Sequence, residues 1–177
     1  MLQPASAAAQ TPFHANETLV FGIGLTGYVQ ENTQEGQTAL GGGVGVMLGH
    51  GVTRYLLPLI AVDVGVVNND AFLARTIGHA DLALRARFPS GASRIAPFAQ
   101  VAFTSQLIER PASADDLIRT GFTAGVGVEI LQSGRRAIEV GLRRTWLKTE
   151  DELFQAVDED VYRLNVTVNL RPPQLSN

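Results

Sequence analysis

The chain has 177 residues, 45% of them hydrophobic and 18% charged, with a formal net charge of -3 and no cysteine. That length suits one domain with a real core or a closed sheet. Disulfides, thiol chemistry and thiolate metal sites are excluded, and the acidic balance offers no electrostatic reason to expect nucleic acid. No apolar run approaches the roughly 18 residues that a helical membrane span needs, and the 18 Gly and 8 Pro are spread along the chain, as many turns and closely approaching strands require.

Residues 1–17 read as a tail. Within it Ala5-Ser6-Ala7-Ala8-Ala9-Gln10 has the small-residue spacing of a signal-peptidase cleavage site, which would start the mature chain near Gln10 or Thr11, although no basic or long apolar stretch precedes it.

From Thr18 on, eight stretches alternate apolar with small or polar residues, the period-2 signature of strands with two unlike faces. The first, Thr18 to Gln30, sets Leu19, Phe21, Ile23, Leu25 and Val29 against Gly22, Gly24, Thr26 and Tyr28. The second, Thr38 to Leu48, sets Leu40, Val44, Val46 and Leu48 against Gly41, Gly43, Gly45 and Met47. A third carries Leu56, Ile60, Val62, Val64 and Val66 opposite Tyr55, Leu57, Leu59, Ala61 and Asp63. The fourth, about Phe72 to Phe88, opposes Ala80, Leu82, Leu84, Ala86 and Phe88 to His79, Asp81, Arg85 and Arg87. Arg94 to Leu107 follows with Ile95, Ala99, Val101, Phe103 and Leu107 against Ala96, Phe98, Gln100 and Thr104. Gly121 to Leu131 has Phe122, Ala124, Val126, Val128 and Ile130 against Thr123, Gly125, Gly127 and Glu129. In Arg136 to Leu147, Ile138, Val140, Leu142 and Trp146 oppose Glu139, Gly141, Arg143 and Thr145. The last run, Tyr162 to Leu170, alternates without a break and includes Arg163 on its polar side.

The gaps sort into two kinds. Those after the second, fourth and sixth runs are turn-like and carry Gly; those after the fifth and seventh, residues 108–120 and 148–160, are long and polar, and the first is intermediate. The gap near Asn68-Asn69-Asp70 reads short unless Ala71 to Thr76 belong to it. Short turns at one end and longer loops at the other predict an up-and-down barrel. Pro58 and Pro97 stand against closure, because a closed sheet has no free edge for a residue without an N–H, although both fall near the start of their runs.

The chain resembles the small eight-stranded outer-membrane barrels of the OmpA/OmpX type, in the outer-membrane β-barrel domain family. The likeness rests on Ile95 to Val101, Gly121 to Glu129, Ile138 to Arg143 and the run to Leu170, and covers nearly everything beyond Thr18. It implies an all-β, eight-stranded antiparallel up-and-down barrel over residues 18–171, with a C-terminal tail at 172–177, in a bacterial outer membrane and in contact with its lipid. In one departure the chain runs on through Arg171-Pro172-Pro173 to Asn177, where such barrels stop at a terminal aromatic; in another, aromatics make up only 7% of the residues.

In such a barrel Asp63, His79, Asp81, Arg85, Arg87, Glu129, Glu139, Arg143 and Arg163 point inward, where mixed charges form a paired network, since an unpaired buried charge costs several kcal/mol. A hydrolase or acyltransferase would need His79 beside a carboxylate and a nucleophilic hydroxyl; no serine motif adjoins it, and Ser105 falls on the lipid side. His14, His50 and His79 are too scattered for a metal site. Glu150, Asp151, Glu152, Asp158, Glu159 and Asp160 make the last long loop acidic, a candidate interaction surface without the spacing of a calcium loop. Gly41-Gly42-Gly43 lacks the Lys and helix start of a phosphate loop.

The expected function is therefore a non-enzymatic outer-membrane barrel with a filled interior, needing no cofactor or metal. It would serve envelope structure or surface interaction, its loops meeting protein or lipopolysaccharide. Eight strands leave space for side chains rather than a wide aqueous channel. The alternative is a soluble, lipocalin-like barrel whose apolar stripe lines a ligand cavity, and a homo-oligomer that buries the stripe against copies of itself is a third arrangement. The choice turns on which way the stripe faces.

Overall fold

The computed structural model describes residues 18–32, 37–69, 72–89, 94–109, 117–133, 135–148 and 159–171. Every regular element among them is a strand: β1 (Thr18–Asn32), β2 (Gln37–Gly51), β3 (Leu56–Asn69), β4 (Phe72–Arg87), β5 (Ile95–Ile108), β6 (Leu117–Ser133), β7 (Arg136–Lys148) and β8 (Glu159–Leu170). Each pairs antiparallel with its neighbours in chain order, and β1 closes the barrel against β8 from Phe21↔Leu170 to Asn32↔Glu159.

The stripe faces out. In β5, Ile95, Ala99, Val101 and Phe103 are exposed while Ala96, Phe98, Gln100, Thr104 and Gln106 are buried, and the same alternation runs round the wall. Leu25 is 66% exposed, Leu82 64% and Phe122 68%, whereas Arg85 and Arg163 are wholly buried. A lipocalin-like cavity needs the reverse, aliphatic side chains within and charges without. The inward glycines belong to the same arrangement: a Cβ on Gly65 would lie 2.5 Å from the Tyr28 ring, and one on Gly127 2.5 Å from the Phe98 ring. These positions let aromatic rings lie flat against the inner wall.

Closure tolerates the two prolines because each lies one step beyond the end of a ladder. Arg87 N–H donates to the Tyr55 carbonyl at 2.7 Å, so Tyr55 bonds toward β4 and, by alternation, Pro58 turns toward β2. There the β2–β3 ladder has already ended, at Gly49↔Leu59. Pro97 accepts from Phe88 N–H at 2.8 Å, just past Arg87↔Phe98, the last β4–β5 pair. In both cases the missing donor falls on the rim.

Several boundaries differ from the sequence reading: β1 runs on to Asn32, β2 to Gly51 and β6 to Ser133, the last two taking in residues read as turn. β3 runs on through Asn68 and Asn69, with a register shift between Val67 and Asn69, while β4 starts at Phe72 as expected, so the gap is as short as it reads and the alternation of gap lengths fails there. β6 begins at Leu117, taking in four residues assigned to a loop. Glu159 and Asp160 likewise lie in β8 rather than in the loop before it.

Candidate functional site

The barrel interior gathers the chain's buried charge. The alternation of β3, β4, β7 and β8 carries Asp63, His79, Asp81, Arg85, Arg87, Glu139, Arg143 and Arg163 inward, and β6 adds Glu129; all are buried.

Around its middle, Arg85 clasps Glu139 with two parallel bonds of 2.5 and 2.9 Å and reaches Gln100 Oε1 at 3.1 and 2.9 Å. Its guanidinium carbon lies 4.2 Å from the centre of the Phe98 ring, and Asn169 donates to Glu139 at 3.1 Å. Arg143 bridges Asp81 at 3.4 Å and Glu139 at 3.7 Å. Arg163 spans Asp63 at 2.9 Å and Asp81 at 3.0 Å, then donates to Thr123 and Thr145, each at 3.1 Å. Thr104, Thr123 and Thr145 continue as a hydroxyl chain with links of 2.6 and 2.7 Å, anchored on Asp81 at 2.7 Å. Bidentate, multiply satisfied pairs of this kind offset the cost of taking ions out of water.

Nearer the long-loop end, Asp63 accepts from the Tyr28 hydroxyl at 2.6 Å and meets His79 Nδ1 at 2.8 Å. The Gln106 amide nitrogen lies 3.0 Å from His79 Nε2, and the Tyr28 and His79 rings stack at 5.6 Å. The groups in contact with His79 are thus a carboxylate, an amide and a ring, and Ser105 projects from the opposite face of β5. Toward the short-turn end Glu129 meets Arg171 at 2.6 Å and Arg87 at 3.8 Å.

Apolar layers lie at both ends of this network. Val20, Met47, Leu57, Leu59, Ala61, Ala83 and Ala102 pack together on the short-turn side, and Tyr28, Val67, Ile77 and Ile108 on the other. An internal space of about 20 Å³, bordered by Thr26, Asp63, Arg143 and Asn165, has room for a single water.

Of the acidic residues assigned to the last loop, Glu150, Asp151, Glu152 and Asp158 lie outside the described residues. Asp160 instead pairs with Arg144 at 2.5 Å on the outside of the barrel, where the Arg144 guanidinium lies 5.1 Å from the centre of the Trp146 ring and 5.5 Å from that of Tyr162. Sequence reasoning that searched for charge passed over Tyr28, the threonine chain, Gln100, Gln106, Asn165, Asn169 and Arg171. The inward parity of the polar members of β5 to β8 was the signal that could have found most of them.

No protein-family model matches the chain, and no curated protein matches it by sequence. Solved structures do match. The Neisserial surface protein A superposes with a TM-score of 0.66 at 13% identity, covering 86% of this chain and 96% of that one. OprG, an outer membrane protein of Pseudomonas aeruginosa, gives 0.62 at 8% identity over 92% and 99%. Ail, the attachment invasion locus protein of Yersinia pestis, solved in complex with the heparin analogue sucrose octasulfate, gives 0.61 at 7% identity over 89% and 99%. The fold is that of the small eight-stranded outer-membrane barrels. Likeness at this level of identity concerns the backbone, so the role of such a barrel here is argued from its own side chains.

Proposed function

We propose that this chain is a non-enzymatic barrel of the bacterial outer membrane, structurally filled, with its short turns toward the periplasm and its long loops presented outside as an interaction surface. The observation that carries this reading is the continuous outward belt of aliphatic side chains around a wall whose charges face in. In water such a belt is far larger than the apolar patches that monomers expose; in lipid it is the expected outer surface. The dimensions agree. The shortest strand, β8 with 12 residues, is about 40 Å long at 3.3 Å per residue and rises about 30 Å when tilted by about 40°. That exceeds the apolar band of about 25 Å typical of such barrels.

The interior supports a structural rather than a conducting role, because its charges are paired across the lumen between apolar layers. The long-loop end is acidic: Glu31, Glu109, Glu159 and Asp160 lie there, and the sequence of residues 149–158 adds Glu150, Asp151, Glu152 and Asp158. A partner held by charge at this end would be basic, unlike the sulfated ligand seen with Ail.

Purified protein is expected to require detergent and to migrate differently on a gel before and after boiling, as closed barrels do when they resist unfolding. A chain that remains monomeric and soluble without detergent would overturn the membrane reading.

A further inference from the structure

The exposed charge at the short-turn end of the barrel is of one sign. At the short-turn end Arg54 lies in the β2–β3 turn, Arg94 just before β5, and Arg135 and Arg136 at the β6–β7 turn, all exposed. The segments that join strands here, residues 52–55, 88–94 and 134–135, contain no Asp or Glu. Among the described residues, the only carboxylates near this end are Glu129 and Glu139, which are buried inside and bound to arginines. The exposed Glu109 and the half-buried Glu31 and Asp160 lie at the opposite end, where Arg75 and Arg144 are exposed as well.

We propose that this basic rim binds the anionic phosphate headgroups of the phospholipid leaflet into which the short turns emerge, an inference that rests on the membrane reading above. Spacing chooses the occupant. The arginines are distributed over three successive turns around the rim, so they cannot converge on one small anion, but they match a surface of many phosphates. Their neighbours match it too: the Arg54 guanidinium donates to the Tyr55 hydroxyl and lies 4.5 Å from the centre of that ring, and Tyr55, Phe88 and Val52 are exposed beside the turns. An aromatic ring with a polar edge next to a cation suits the boundary between hydrocarbon and headgroup. Arg136 occupies an outward position on β7, level with the lipid-facing Leu170, so its stem lies along the wall with its charge toward the headgroups rather than below the barrel.

The test reconstitutes the full chain into vesicles of equimolar phosphatidylcholine and phosphatidylglycerol, re-extracts it gently and measures the ratio of the two lipids that stay bound. Each arginine near an anionic surface is worth about a fivefold preference. The native chain is expected to retain phosphatidylglycerol in excess, and the excess to shrink as salt rises. The variant with R54Q, R94Q, R135Q and R136Q is expected to return to the bulk ratio, whereas R75Q with R144Q at the other end leaves the excess intact. The proposal is overturned by a native chain that shows no excess, by an excess indifferent to salt, or by an equal loss in the R75Q/R144Q control. Insertion into pure phosphatidylcholine vesicles, followed by the gel shift, separates the two readings. If the chain inserts there yet shows no lipid preference, only the rim proposal fails; if it does not insert, the membrane reading itself fails.

Discussion

Arg163 has a fully buried side chain that donates to two carboxylates and two hydroxyls, so no single partner accounts for it. Replacing it with Met would leave Asp63 and Asp81 buried with one cation fewer. Breaking a buried pair in this way costs about 3–5 kcal/mol, and urea unfolding of the reconstituted protein should record a loss of that size. Glycines give a second contrast. Gly127→Ala would set a methyl 2.5 Å from the Phe98 ring and closer still to the Val140 carbonyl oxygen, and overpacking of this kind costs about 1–3 kcal/mol. At Gly78 the nearest neighbour of an added Cβ is 3.7 Å away, so Gly78→Ala should leave the unfolding midpoint nearly unchanged. At this scale the sequence revealed which residues share a face, because parity alone assigns Asp63 and Arg163 to the polar side of their runs. It could not reveal that they meet. They lie 100 residues apart, and their contact depends on how far each strand is staggered as the barrel closes.

Strands with an unbroken contrast between faces, such as β7 and β8 from Tyr162 onward, were legible to within a residue or two. The ends were not, for a physical reason. Near the long-loop rim the inward positions turn apolar, with Val67, Ile77, Ile108, Leu147 and Val161 all buried, so the alternation of apolar and polar that marks a strand disappears where the interior is capped. The start of β8 was lost for that reason, and Leu117 to Thr120 because Thr120 puts a polar residue on the outward face. The two prolines posed the opposite problem, since composition argued against closure and only the ladder ends explain why it holds. Pro97→Ala should therefore shift stability by no more than about 0.5 kcal/mol, the range of an uninvolved surface site. A charge on the belt is a different matter. Leu142, 53% exposed in the middle of β7, faces the hydrocarbon; Leu142→Arg should cost about 2–4 kcal/mol in a bilayer, against about 0–1 for Phe88→Arg at the rim. Equal costs at the two depths would mean that the belt does not meet lipid.

As a whole the molecule turns an ordinary soluble domain inside out, with the aliphatic surface on the outside, ion pairs at the centre, and an exposed arginine rim at the short-turn end. The eight strands, their pairing order and the inward charges could all be read from period and gap length. The acidic loop surface could be read only as composition, because Glu150, Asp151, Glu152 and Asp158 lie outside the described residues and Asp160 is engaged by Arg144. The claim that joins these scales is that the interior is filled, its charges paired with one another between apolar layers above and below the Arg163 and Arg85 networks. Current through a planar bilayer containing the purified protein tests it most directly. An electrically silent membrane is expected across the applied voltage range, and large, stable conductance steps would contradict a filled interior.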